Sequence, residues 1–157
     1  VSLRLDEKLF RKFCSEIGYQ PIVFHSFQTA GEERLPIYHT NVMMCVAEKF
    51  VVICLDAIDN ENERTLVKNT IEATNKEIVE ISEEQMHQFA GNMLQLRNDN
   101  NEHFLVMSKS AYQSLKKEQL ETIKKTSDII YADLNTIEVN GGGSARCMLA
   151  EVFLPKK

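Results

Sequence analysis

The sequence predicts an α/β protein assembled from repeated strand-helix units, and two observations point there. Three short runs, Pro21-Ile22-Val23-Phe24, Glu77-Ile78-Val79-Glu80 and Asp128-Ile129-Ile130-Tyr131, each open a stretch of similar element order. The hairpin strands within those stretches also begin alike, at Asn41-Val42-Met43-Met44, Asn92-Met93-Leu94-Gln95 and Cys147-Met148-Leu149-Ala150. The period is roughly fifty residues, the size of a supersecondary unit that buries its apolar face only against its neighbours. The units run over about 20–75, 76–126 and 127–157, and residues 1–157 are read as the C-terminal portion of a single domain.

Taken in order, Asp6 caps a helix whose residues Leu9, Phe10, Phe13, Cys14 and Ile17 fall at helical spacing, so one face packs on something; Gly18 stops it. Pro21 to Phe24 reads as a strand, and the polar stretch through Gly31, Glu32 and Glu33 to Pro36 as a loop rimming a site. Strands from Asn41 to Val46 and Phe50 to Leu55 meet across the turn Ala47-Glu48-Lys49, apolar enough for burial on both faces. Asn60 with Glu63, and Ser82 with Gln85, have capping-box spacing. The first pair opens a helix carrying Leu66, Val67, Thr70, Ile71 and Thr74, with Asp56, Asp59 and Glu61 as further capping acids; the second opens a short helix that ends by Gly91. A hairpin of Asn92 to Leu96 and Phe104 to Met107 surrounds the loop Asn98 to Glu102, and Ser108 caps a broken helical region through Ala111, Leu115, Leu120 and Ile123. Strands follow at Asp128 to Tyr131, Thr136 to Val139 and Cys147 to Leu154, with Pro155 as the stop.

At 157 residues, 43% hydrophobic and 26% charged, the chain is long enough for one ordinary core. A net charge of −5, with only the Lys116-Lys117 and Lys124-Lys125 pairs as basic clusters, argues against a nucleic-acid or anionic-membrane partner. No apolar run reaches membrane-span length and the N-terminus lacks a signal-peptide pattern, which places the protein in the cytoplasm. The four cysteines sit apart without a Cys-x-x-Cys pair, so neither a disulfide framework nor a zinc knuckle is expected, and no metal or other cofactor is required. His25 reads as a strand-end residue, His87 as a helix-surface residue and His103 as a loop cap beside Glu102.

Of the cysteines, Cys14, Cys45 and Cys54 lie in apolar stretches and read as small buried hydrophobes. Cys147 follows Gly141-Gly142-Gly143-Ser144-Ala145-Arg146, where glycines let a substrate approach the main chain and Arg146 sets a cation beside the sulfur, favouring the attacking thiolate. Units packed around a pseudo-symmetry axis would bring their equivalent strand starts together there. His39, two residues before Asn41, would then meet Cys147 as its proton-transfer partner.

The segments Pro36-Ile37-Tyr38-His39-Thr40-Asn41-Val42-Met43-Met44, Gly91-Asn92-Met93-Leu94 and Gly141-Gly142-Gly143-Ser144-Ala145-Arg146-Cys147-Met148 resemble the penteins, the guanidino-group-modifying superfamily of arginine deiminases, dimethylarginine dimethylaminohydrolases and amidinotransferases. The resemblance is greatest to the bacterial amidinotransferase-like proteins of citrulline utilisation. It implies an α/β propeller of five strand-helix units, of which this chain holds the C-terminal three. It further implies Cys147 as nucleophile and His39 as general acid and base, with Asn41, Arg146, Gly142 and Gly143 at the substrate. The implied activity is hydrolysis of C–N bonds in guanidino or ureido compounds. Arginine deiminases carry His-x-Asp where this chain has His39-Thr40-Asn41, which leaves the substrate open. The family's other acidic substrate-holding residues fall upstream of Val1, so the upstream half of the same protein or a homo-oligomer is the expected partner. The alternatives are an amidinotransferase and a non-catalytic binding module of the same fold. A papain-like thiol hydrolase would instead place its cysteine at the start of a helix.

Overall fold

In the computed structural model, which describes residues 4–152, Asp6 opens helix α1 (Glu7–Glu16) by accepting from the Leu9 N–H at 2.8 Å. Gly18 ends it in a left-handed conformation, φ 74°. The expected packing of its apolar face is met at Cys14 and in part at the half-buried Phe10, whereas Leu9, Phe13 and Ile17 are exposed.

The core is made by two three-stranded sheets of the same design. In the first, β3 (Met44–Val46) pairs antiparallel with β4 (Phe50–Ile53), and β4 pairs in parallel with β5 (Glu77–Glu80). In the second, β6 (Leu94–Arg97) pairs antiparallel with β7 (His103–Ser108), which pairs in parallel with β8 (Asp128–Ala132). The registers repeat: Phe50 stands opposite Glu77, and Phe104 opposite Asp128. Each sheet therefore joins one hairpin to the strand that opens the next repeat, and a helix covers the crossover. In the first that helix is α2 (Glu61–Ala73); in the second it is the pair α4 (Lys109–Ser114) and α5 (Lys117–Lys124), with α3 (Glu83–His87) lying between the sheets in sequence. Strand β4 is buried along its whole length, whereas the edge strand β3 exposes Val46.

The capping residues act much as their spacing predicts. Asn60 accepts from the N–H groups of Asn62 and Glu63, and Ser82 with Gln85 forms a complete capping box on α3. Glu63 does not return to its cap; it turns to His25, holding the ring at 3.0 Å. Asp59 likewise caps nothing and pairs with Arg34 at 2.6 Å.

Several predicted elements differ. Residues 21–24 join no sheet, because among the described residues no hairpin precedes them to supply a parallel partner; Ile22 and Phe24 pack on the core instead. The polar stretch expected as a loop is a hairpin, β1 (Phe27–Ala30) with β2 (Glu33–Pro36), turning at Gly31 with φ 65°. Arg34 anchors it, bonding Thr29, Asp59, Glu83 and the Asp56 carbonyl. The predicted strand from Asn41 begins only at Met44, after a 3-10 turn at Thr40–Val42. Residues 136–139, β-branched enough to suggest a strand, belong to helix α6 (Asn135–Gly141), since Asp133 accepts from the Asn135 N–H and the buried face is set by Glu138. The predicted terminal strand is a 3-10 turn at Ala145–Met148, with no strand over residues 149–152; the rest of it lies outside the described residues. Among the described residues no helix is long and apolar enough to cross a membrane.

Gly91 admits no side chain. A Cβ there would fall 2.4 Å from the Val42 carbonyl oxygen and 2.8 Å from the Met43 carbonyl carbon, both main-chain atoms. Gly91→Ala should therefore force two backbones apart and cost about 1–3 kcal/mol, the range for overpacking a close contact. Urea denaturation of the two proteins measures it; an unchanged midpoint would mean that the approach is loose.

Candidate active site

Strand β2 leads through buried Ile37 to His39, whose backbone is extended (φ −161°, ψ 156°) before the 3-10 turn. Asn92 follows Gly91 at the entry to β6, and Cys147 lies in the turn Ala145–Met148. The three equivalent positions of the sequence repeat, Asn41, Asn92 and Cys147, meet here. The Asn92 side-chain Nδ2 donates to the Asn41 carbonyl at 3.1 Å and to Cys147 Sγ at 3.2 Å, while the Asn92 carbonyl accepts from the Arg146 N–H at 3.4 Å. His39 and Cys147 line one cavity of about 380 Å³ together with Tyr38, His87, Phe89, Asn92 and Gly142. No carboxylate is among the described residues that line it.

His39 Nδ1 is buried without a hydrogen-bond partner. Burial lowers the pKa of the imidazole, helped by the positive charge of Arg4, so the neutral ring persists below its ordinary range. Burial also pushes Cys45 up to about 12 and Cys54 up to about 11, keeping both as thiols, whereas Cys147 is the exposed one of the four cysteines.

The loop that presents Cys147 is held by a buried carboxylate. Glu138 accepts from Ser144 Oγ at 2.6 Å and from Ser110 Oγ at 2.5 Å, and Ser110 meets Ser108 Oγ at 3.0 Å. This ties α6 and the cysteine loop to the end of β7. The glycines differ in purpose. Gly142 supplies the left-handed end of α6 with φ 64°, and Gly143 supplies space, since a Cβ there would lie 3.2 Å from both Cβ and Sγ of Cys147.

Not every expected residue faces this cavity. Asn41 and Arg146 line a neighbouring one of about 210 Å³ beside Met44 and Cys45, and the Arg146 guanidinium donates to the Leu149 carbonyl at 3.3 Å instead of flanking the sulfur. Three further residues here were not among the expected site residues. Asn92 was visible as a repeat position and within a family-like segment but without a role, His87 only as a helix-surface residue, and Glu138 carried no signal because its segment resembled a strand. His25 and His103 are bound elsewhere, to Glu63 and to Glu48 at 3.0 Å each.

A family model described as N,N dimethylarginine dimethylhydrolase, eukaryotic, matches residues 1–154. No curated protein matches the chain. Among solved structures, the chain is similar to ArgZ, an arginine dihydrolase from the ornithine-ammonia cycle in cyanobacteria, with TM-score 0.64, 14% identity, and coverage of 94% of this chain and 21% of that one. The N-terminal domain of ArgZ bound to product gives TM-score 0.63 at 13% identity, and a variant of that domain covalently bound to a reaction intermediate gives 0.65 at 15%. Each of these two pairs covers 94% of this chain and 47% of the domain, so the chain spans less than half the length of the structures it matches. At these identities the likeness is one of fold, and that fold is the α/β arrangement of strand-helix units anticipated from the repeat. With the terminal strand gone, the position of Cys147 no longer argues against a papain-like hydrolase; the family match does.

Exposure predicts that Cys147 alkylates before Cys14, Cys45 and Cys54 in the folded chain, with peptide mass spectrometry giving the order. Any buried thiol labelling first would contradict the assignment. Gly143→Ala should leave stability within about 0.5 kcal/mol, because the exposed Cys147 side chain can move aside, yet change its alkylation rate severalfold. Denaturation and labelling of the same sample separate the two effects.

Proposed function

The chain belongs to the N,N dimethylarginine dimethylhydrolase family, and from that membership we propose that it carries the nucleophile and the proton-transfer residue of an enzyme that hydrolyses C–N bonds of linear amidines. The observation that supports this most is the pairing, in one cavity, of an exposed Cys147 with a His39 that burial keeps neutral.

A neutral imidazole can take the proton of the Cys147 thiol, and the resulting thiolate adds to the electrophilic carbon of the substrate's amidine group. As the tetrahedral adduct collapses, the C–N bond breaks and His39 returns the proton to the departing amine. The same ring then removes a proton from water, whose oxygen adds to the carbon; the C–S bond breaks and a ureido product leaves. No net oxidation occurs. Substrates of this class are planar cations, as arginine and its methylated derivatives are, and the ArgZ domain is described with substrate, product and a covalent intermediate.

A cation of that kind needs carboxylates, and the described lining of the cavity contains none. We place the substrate-holding acids outside these 157 residues, in a longer polypeptide of the same protein working in the cytoplasm. Residues 1–157 alone then keep a reactive Cys147 and turn over substrate weakly.

Amine, ammonia or urea release from dimethylarginine, arginine and citrulline by this chain and by a form extended upstream tests the proposal. In the extended form Cys147→Ser should abolish turnover and His39→Asn should lower kcat by about 10²–10⁴, the usual worth of a general acid-base group. Equal turnover by short and extended forms would show that the whole site lies within these residues. Because the folded His39 pKa is lowered, its base form is lost only as pH falls through that depressed value. The acidic limb of kcat/KM should therefore lie below pH ~6.5, the ordinary histidine value. A limb above it would assign the proton transfer to another group.

A further inference from the structure

Asn92 is 95% removed from solvent, with 5% of its surface exposed, and it bridges the segments that carry His39 and Cys147. Its amide orientation follows from chemistry: the Asn41 carbonyl can only accept, so the end of the side chain facing it at 3.1 Å is the nitrogen. That nitrogen has two hydrogens. One is directed to Asn41, and the other to Cys147 Sγ at 3.2 Å. The side-chain oxygen is 3.5 Å from the same sulfur, a distance at which the neutral thiol can donate to it. The main chain of Asn92 also accepts from the Arg146 N–H, so the residue grips the cysteine turn at two points.

We propose that Asn92 is a catalytic residue of this site: its Nδ2–H holds the Cys147 sulfur as the thiolate and keeps it aligned with His39. This rests on the reading of Cys147 as nucleophile. The oxygen can receive S–H from the resting thiol, and the nitrogen supplies a donor once the proton has left, so the same amide serves both states. Loss of the donor disfavours the anion. The other titratable groups around the sulfur are His39, His87 and Tyr38 on the cavity wall and Arg146 beside it in the chain, whose guanidinium is turned to Leu149.

The test is iodoacetamide alkylation of Cys147 across pH, read by peptide mass spectrometry, in the unaltered chain, Asn92→Asp and Asn92→Ala. The buried Cys14, Cys45 and Cys54 report in the same spectra whether each variant is folded. Removing the donor should move the Cys147 midpoint up by about one pH unit and slow alkylation below it about tenfold, with Asn92→Asp shifting further because a carboxylate faces the anion. Folded variants with an unchanged midpoint overturn the proposal. A measurement on the unaltered chain decides the matter should the variants unfold. The Asn92 side-chain N–H resonances should move as Cys147 ionises, and should lose that dependence in Cys147→Ser; resonances indifferent to the titration also overturn it. Failure of the nucleophile reading looks different, as turnover by the extended form that survives Cys147→Ser.

Discussion

The site depends on a contact that has no side chain in it. Gly91 lies against the main chain of Val42 and Met43, closer than any Cβ would permit, and this approach sets the distance between the two sheets at one point. The neighbouring residue is thereby delivered to Asn41 and Cys147 together. Had the two backbones stood a side chain apart, the Asn92 amide would not span them, and the segments bearing His39 and Cys147 would lose their common brace. Elements further away serve the same junction. Arg34 fixes the hairpin that runs into His39, and Glu138 fixes the loop that runs into Cys147.

The electrostatics divide along the same line. The groups that hold the scaffold are charged and paired: Arg34 with Asp59 and Glu83, and Lys76 across the β3–β4 turn through the carbonyls of Ala47 and Glu48. The cavity wall offers a neutral imidazole, an amide and a thiol, without a carboxylate among its described residues. A surface of that kind suits proton transfer and covalent chemistry, but it has little hold on a cation. On the proposed reading, holding substrate and reacting with it are thus separable tasks, and the residues described here serve the second.

Much of this was legible in the sequence wherever a local rule and a tertiary demand agreed. Asn60, Ser82 and Ser108 cap helices because a side-chain oxygen can reach the N–H groups two or three residues on whatever else packs nearby. The two hairpins were read from their apolar runs and the turns between them, whereas the parallel pairing of Phe50–Ile53 and Phe104–Met107 with the acid-led strands that open the next repeat became visible only in the structure. The failures share a cause. Residues 21–24, 136–139 and 147–152 have strand composition, yet a strand exists only where a neighbour completes its ladder, and composition cannot report a neighbour. Glu138 was hidden for a related reason: a buried carboxylate satisfied by two serine hydroxyls is visible only once residues 110, 138 and 144 stand together. The meeting of Asn41, Asn92 and Cys147 was the reverse case, read from repetition before any contact was known.

The unequal exposure of the four thiols bears on how the protein ages in an oxidising medium. Cys14, Cys45 and Cys54 are sealed in the interior, two of them held far from ionisation, while Cys147 is open to water. Among the thiols, peroxide or a small disulfide therefore meets Cys147 first, and the lesion there begins as a sulfenic acid or mixed disulfide that a reductant can reverse. Neither the sheets nor the packing around β4 need be disturbed. The chain can lose this exposed thiol and keep its fold, so spectroscopic integrity after storage says little about how much free Cys147 remains.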